Sequence, residues 1–259
     1  MGLITKTKKG AIMIHYGVDV SNWDEGNTIP YLDFCICKAT EGLSYIDPTF
    51  DIFVNEARNK CMNVGAYHFA GYASSAKDEA EFFYSKVQKY EGFCYPWLDF
   101  ECFEWDRDVT VNYCETFIKR YHEISGIYPG LYISASLCQY FYDSWIPEKC
   151  ELWVAGYPNS GAQTEWPDYN MPYDISPWIT CKIWQFTGQM LINGSYFDAN
   201  IGYYTDWFRT EDKEKNLLIA CKVILGEYGN GEERVKRLTD EGYNYNTIQS
   251  LVNRIYEVI

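Results

Sequence analysis

From residue 14 to about residue 208 the chain alternates short apolar runs of strand character with segments of helical period, and this alternation limits the fold more than any other feature. Strands separated by helices rejoin their sheet in parallel, with the helices laid over its faces. Ile14 to Val20 reads as the first strand and Phe34 to Ala39 as the second. Pro48 to Cys61 has helical spacing, with Phe50, Phe53, Val54 and Ala57 on one face. Val64 to Phe69 is a third strand, and Ser75 to Tyr90 a helix with acids in its first turns. Tyr95 to Cys102 is a fourth strand, and Thr110 to Ser125 a helix closed by Gly126. Gly130 to Ser134, Glu151 to Tyr157, Cys181 to Phe186 and Tyr196 to Ile201 bring the strands to eight, with less helix between the later ones. No glycine-rich phosphate loop follows the first strand, so an α/β fold with a closed eight-stranded β/α barrel fits better than an open doubly wound sheet. The proline-rich stretch Pro158 to Thr180 reads as a long loop of the kind that rims a site.

Arg209 to Lys215 is a charged break. Beyond it, Asn216 to Leu225, Gly231 to Leu238 and Asn246 to Val258 have helical period. The expected organisation is an N-terminal extension over 1–13, a barrel over 14–208, a linker over 209–215 and a three-helix module over 216–259.

Tyr95-Pro96-Trp97-Leu98-Asp99-Phe100-Glu101-Cys102 carries two acids two positions apart. On a strand they would share a face, and at roughly 3.3 Å of rise per residue their Cα atoms would lie about 6.6 Å apart, close enough to perturb each other's ionisation. Such a pair can keep one acid protonated near neutral pH, as glycoside hydrolysis requires. A bare D-x-E more often marks a solvated strand end, and only its context can lift it above that. In a β/α barrel the working residues collect at the C-terminal ends of the strands, where this assignment puts Asp19, Asp99, Glu101 and Asp198.

Composition narrows the partners. A net charge of −14 argues against nucleic acid and against an anionic membrane, since both are held by clustered Lys and Arg. The 24 Tyr and 9 Trp exceed ordinary core filling and suit stacking on sugar rings, although a Tyr-rich surface has the same composition. The ten Cys include no C-x-x-C pair or zinc-ligand spacing, which favours reduced core thiols made in a cytoplasm. The N-terminal residues lack the pattern of a signal peptide, and release to an extracellular substrate is expected to depend on another agent.

The motifs then become specific. Gly17-Val18-Asp19-Val20-Ser21, Lys38-Ala39-Thr40-Glu41-Gly42, Gly65-Ala66-Tyr67-His68-Phe69, Leu98-Asp99-Phe100-Glu101, Gly130-Leu131-Tyr132, Leu152-Trp153-Val154-Ala155 with Tyr157, and Ile183-Trp184-Gln185-Phe186-Thr187 together resemble the glycoside hydrolase family 25 muramidases, in order and over roughly residues 14–208. The resemblance implies an irregular barrel of five helices and eight strands. It also implies hydrolysis of the β-1,4 bond between N-acetylmuramic acid and N-acetylglucosamine in peptidoglycan, with retention. Carried over by position, Glu101 would be the general acid, Asp99 the second carboxylate of the D-x-E, and Asp19 and Asp198 the rest of an acidic floor. The nucleophile is either a carboxylate or the substrate's own 2-acetamido group; Asp99 as the group that orients that acetamide favours the second route. Tyr67, Trp153, Tyr157 and Trp184 are candidate sugar contacts, with barrel packing an equal reading for Trp153 and Trp184. No cofactor or metal is expected, and His68 reads as a core residue.

Residues 216–256, with Tyr228-Gly229-Asn230-Gly231, Arg234, Gly242-Tyr243-Asn244-Tyr245, Gln249 and Val252-Asn253, resemble a CW-seven cell-wall-binding repeat. The resemblance implies muropeptide binding, with Tyr228, Asn230, Arg234, Tyr243 and Asn253 as candidate contacts. Asn244 stands where Asp is usual. A single copy forgoes the avidity of tandem repeats, so weak binding or self-association is expected. The rivals are a chitinase-type glycosidase, disfavoured because Trp97 and Cys94 stand where its acidic motif would need Asp, a non-catalytic glycan-binding barrel, and a carboxylate cation site. A phage endolysin or a bacterial autolysin matches the whole pattern.

Overall fold

The computed structural model describes residues 14–60, 62–72, 75–90, 93–203, 210–243 and 245–258. The expected extension 1–13, residue 209 of the expected linker, and Asn244 lie outside the described residues. The strands are β1 (His15–Val20), β2 (Phe34–Glu41), β3 (Tyr45–Ile46), β4 (Asn63–Phe69), β5 (Cys94–Asp99), β6 (Gly130–Ser134), β7 (Leu152–Ala155), β8 (Ile183–Ile192) and β9 (Ser195–Gly202). The helices are α1 (Phe50–Asn59), α2 (Ala76–Val87), α3 (Arg107–Ser125), α4 (Ile146–Lys149), α5 (Thr210–Ile224), α6 (Glu232–Asp240) and α7 (Tyr245–Val258).

The strands run β1-β9-β8-β7-β6-β5-β4-β2 around the sheet, and parallel pairing of β1 with β2 closes it into an eight-stranded barrel, with the short β3 attached to β2. The pairs from β2 to β8 are parallel, whereas β9 is antiparallel to both β8 and β1. The alternation of side chains along each strand divides the core in two. Phe34, Ile36, Tyr67, Trp97, Tyr132, Trp153 and Ile183 fill the barrel interior. Cys35, Cys37, Ala39, Val64, Ala66, Leu98, Leu131 and Val154 face outward beneath the helices. The interior aromatics fit because glycines stand opposite them: a Cβ on Gly130 would lie 2.2 Å from the Trp97 ring.

Helix boundaries follow local chemistry. The α1 positions Phe50, Phe53, Val54 and Ala57 are the buried ones, as the spacing predicts. The Ser75 hydroxyl accepts from Asp78 N–H to start α2, and the Asp106 carboxylate accepts from Val109 N–H to start α3, which ends at Gly126 in the left-handed conformation. The stretch 158–180 forms neither helix nor strand and is pinned to β8 at Gln163.

In the C-terminal module Ile219, Ala220, Val223, Tyr228, Leu238, Ile248 and Val252 form a separate small core. Helix α5 begins at Thr210, so residues 210–215, expected as linker, are helical.

Candidate active site

The mouth of the barrel is built from inward-facing residues at one end of the strands. Asp19 comes from the last turn of the pleat of β1 and Asp198 lies directly across from it on β9. Because β9 runs antiparallel, Asp198 reaches the mouth from the N-terminal half of its strand, not from a C-terminal end as the parallel assignment assumed. Strand β5 ends at Asp99, so Glu101 also departs from expectation: it stands two residues beyond the strand, exposed at the rim, while Phe100 between them is fully buried.

Asp19 Oδ2 accepts from Asn200 Nδ2 at 2.7 Å and Gln185 Nε2 at 2.9 Å. Asn200 Oδ1 in turn accepts from the Trp153 indole N–H at 2.8 Å, and Gln185 Oε1 accepts from the hydroxyls of Tyr132 at 2.8 Å and Tyr157 at 2.6 Å. Five strands are thereby tied to one carboxylate. Asp99 has no such support: its Oδ1 is buried and accepts no hydrogen bond from the described residues.

Burial dominates the electrostatics, because removing a carboxylate from water penalises its charged form. It pushes Asp19 up to about 7, against the hydrogen bonds from Asn200 and Gln185. Burial and then the charge of Asp19 push Asp198 up to about 9. Asp99 is held well above the carboxylate range by burial and by Glu101 and Asp19. Glu101 is exposed as a residue, yet the walls around its carboxyl desolvate it enough to raise it, with Tyr132 and Lys38 opposing. Lys38 is the cation of this region, paired with Glu41 at 2.7 Å and lying over the Phe69 ring.

Among the candidate sugar contacts, Tyr67 lies inside the barrel, edge-on to Trp153, and Tyr157 is half exposed. Trp153 and Trp184 are not at the mouth. Both are buried, the first in the interior and the second outside the sheet with its N–H on Gly156 C=O, so both serve as packing. A cleft of about 430 Å³ adjoins the mouth, lined by Ser134, Ser136, Tyr157, Tyr173 and Asp174 among others. Gln185, Asn200 and Tyr132 went unassigned from sequence. The signal for Asn200 was its position two residues after Asp198, which puts both on one face of a strand.

In the module, Arg234 holds the preceding turn: it donates to Gly229 C=O, Asn230 Oδ1 and Gln249 Oε1. Tyr228 is buried with its hydroxyl on Glu241, whereas Asn230 and Asn253 are exposed and Tyr243 is half-buried.

A closed β/α barrel whose mouth gathers raised carboxyls beside a rim acid is the arrangement of a glycoside hydrolase. The chain belongs to glycosyl hydrolases family 25, whose family model matches residues 18–195, and residues 218–256 match the CW_7 repeat. It is therefore a glycoside hydrolase of the lysozyme and muramidase type. It is similar to a lysozyme of Streptococcus phage Cp-7, 27% identical over 256 residues that cover 93% of this chain and 68% of that protein. An N,O-diacetylmuramidase of Chalaropsis sp is 34% identical over 118 residues, which cover 40% of this chain and 56% of that one. Among solved structures, a bacterial lysozyme from Streptomyces coelicolor superposes with a TM-score of 0.58 at 26% identity, over 71% of this chain and 90% of that chain.

Proposed function

We propose that this enzyme cleaves the β-1,4 bond between N-acetylmuramic acid and N-acetylglucosamine in peptidoglycan, with retention and with participation of the substrate's 2-acetamido group. The family and the CW_7 repeat support peptidoglycan as substrate and partner. The observation that carries the mechanism is the buried Asp99 Oδ1, which lies beside Glu101 and accepts no hydrogen bond from the described residues. A buried acceptor without a donor is costly, and the N–H of a bound acetamide would supply one.

In this reading Glu101, whose carboxyl partial desolvation raises, protonates the leaving glycosidic oxygen. Asp99 takes the acetamide N–H and turns the acetamide carbonyl oxygen toward C1, where it displaces the leaving group and forms a cyclic intermediate. Glu101, now a carboxylate, accepts a proton from the water that reopens it. Asp19, fixed by two amide donors, stabilises the positive charge that develops at C1 when it is ionised, while Asp198 across from it keeps its proton up to about pH 9. The cleft lined by Tyr157 and Tyr173 is the nearest surface for further sugar units.

In the module, exposed Asn230, Asn253 and half-buried Tyr243 are the side chains for wall contact, with Arg234 and Tyr228 organising them. The described cysteines are all free, which supports synthesis in a reducing compartment before release to the wall. The test is clearing of purified peptidoglycan by the intact protein and by Glu101→Gln, with mass spectrometry of the fragments. New reducing-end muramic acid from wild type, and a loss of about 10²-fold or more in E101Q, support the reading. Wild type that sediments with walls but releases nothing replaces it with a binding protein.

A further inference from the structure

The acid at the rim is not held by the sheet. Strands β4 and β5 part after Ala70 N–H donates to Asp99 C=O at 3.0 Å, and Phe100 N–H donates to Tyr132 C=O at 3.0 Å on the other side. The next amide, that of Glu101, donates to the Tyr72 hydroxyl at 2.6 Å. A side chain from the loop after β4 thus takes the place of a backbone carbonyl, at the residue whose direction matters most for proton transfer.

Tyr72 reaches this position in an unusual conformation. Its φ is +58°, in the left-handed region that residues other than glycine adopt only when their surroundings impose it. Two sets of contacts impose it here. The ring is packed edge-on against Phe69, Phe100 and Trp105, at centroid distances of 6.0, 5.4 and 5.5 Å. The backbone just before it is anchored: Gly71 N–H donates to Glu79 Oε2 at 2.8 Å, and a Cβ on Gly71 would lie 2.5 Å from Gly42 Cα.

Glu79 is itself over-determined. The same Oε2 accepts from the Tyr113 hydroxyl at 2.7 Å and pairs with His68 Nε2 at 2.9 Å, while His68 Nδ1 pairs with Thr40 Oγ1 at 2.8 Å. Thr40, His68 and Glu79 are wholly buried, and the His68 ring stacks on Phe117. A polar cluster so deep is costly unless every member is satisfied, and a satisfied one is rigid. It joins β2, β4, α2 and α3 and ends at the loop that carries Tyr72.

We infer that Tyr72 is a positioning residue for Glu101: its hydroxyl, held by the strained loop and the Glu79 cluster behind it, fixes the backbone from which the general acid projects. The inference rests on the reading of Glu101 as the acid. A general acid works within hydrogen-bond reach of the glycosidic oxygen, and a displacement of about 1 Å can cost on the order of 100-fold. The hydroxyl acts through geometry alone, so its loss should reduce turnover and leave substrate binding unchanged.

The test compares full-length wild type, Tyr72→Phe and Glu101→Gln on soluble peptidoglycan fragments, with turnover normalised to folded protein and amide exchange followed by mass spectrometry. Y72F keeps the ring and removes only the hydroxyl. It is expected to hold KM within about 2-fold, to lose about 10-fold in kcat, and to exchange faster in the peptide containing Glu101. A kcat within about 2-fold of wild type, whatever the melting temperature, overturns the inference, because a purely structural role would lower the melting temperature without changing turnover per folded molecule. If E101Q is silent while Y72F matches wild type, only the positioning role falls. If E101Q retains wild-type turnover, the assignment of the acid falls with it.

Discussion

Asp19 and Asp198 face each other across β1 and β9, where like charges repel. Burial lifts them to about 7 and about 9, so the folded enzyme keeps protons that the unfolded chain releases near the ordinary carboxylate value of about 4. The unfolded state then binds fewer protons, and stability falls as pH rises. The contribution of these groups is complete below about pH 4 and is lost progressively as pH passes through about 7 and about 9. Asp198→Asn is expected to raise stability at about pH 8 by about 1–2 kcal/mol and to flatten the pH profile, as thermal melts at acidic and basic pH would report. A variant no more stable than wild type under basic conditions would count against the repulsion. Asp19 and Asp99 were legible as strand-end acids, whereas Asp198 sits in the first half of an antiparallel strand and Glu101 lies beyond the end of β5. Their supports were not legible. Gln185 and Asn200 carry no charge to single them out, and Tyr72 acts across a loop junction that no local pattern marks. Trp153 and Trp184 illustrate the converse: an aromatic in a sugar hydrolase has the same letter whether it stacks on a sugar or fills a barrel.

The strands and helices were legible as elements because periods of two and of 3.6 are written directly in the hydrophobic pattern. Strand direction was harder. The final pair, β8 and β9, is a hairpin joined at Asn193-Gly194, with both residues at positive φ, and Asn-Gly is the strongest short hairpin signal a sequence offers. Reading it would have turned β9 around and put Asp198 on the correct end. The barrel interior depends on paired large and small residues, which become visible only when register is known. Gly130 stands against Trp97, so Gly130→Ala is expected to destabilise the protein by about 1–3 kcal/mol in chemical denaturation. Unchanged stability would show that Trp97 can move aside.

For the whole molecule, the barrel and the helical module have separate cores, and the solved lysozyme from Streptomyces coelicolor matches over 90% of its length while covering 71% of this chain. Removing residues 210–259 is expected to leave turnover on soluble fragments within about 2-fold, and to lower co-sedimentation with intact walls by about 10-fold or more through lost avidity. Equal sedimentation by the truncated protein would assign wall affinity to the barrel itself. Asp19 is held by Gln185 and Asn200, 166 and 181 residues further along the chain. A ribosome makes Asp19 long before its holders, and contacts so distant in sequence are slow to form. A growing chain therefore carries Asp19, Asp99 and Glu101 before the amides that hold Asp19 exist. The acidic floor is complete only when β9 pairs with β1 and brings Asn200 to Asp19.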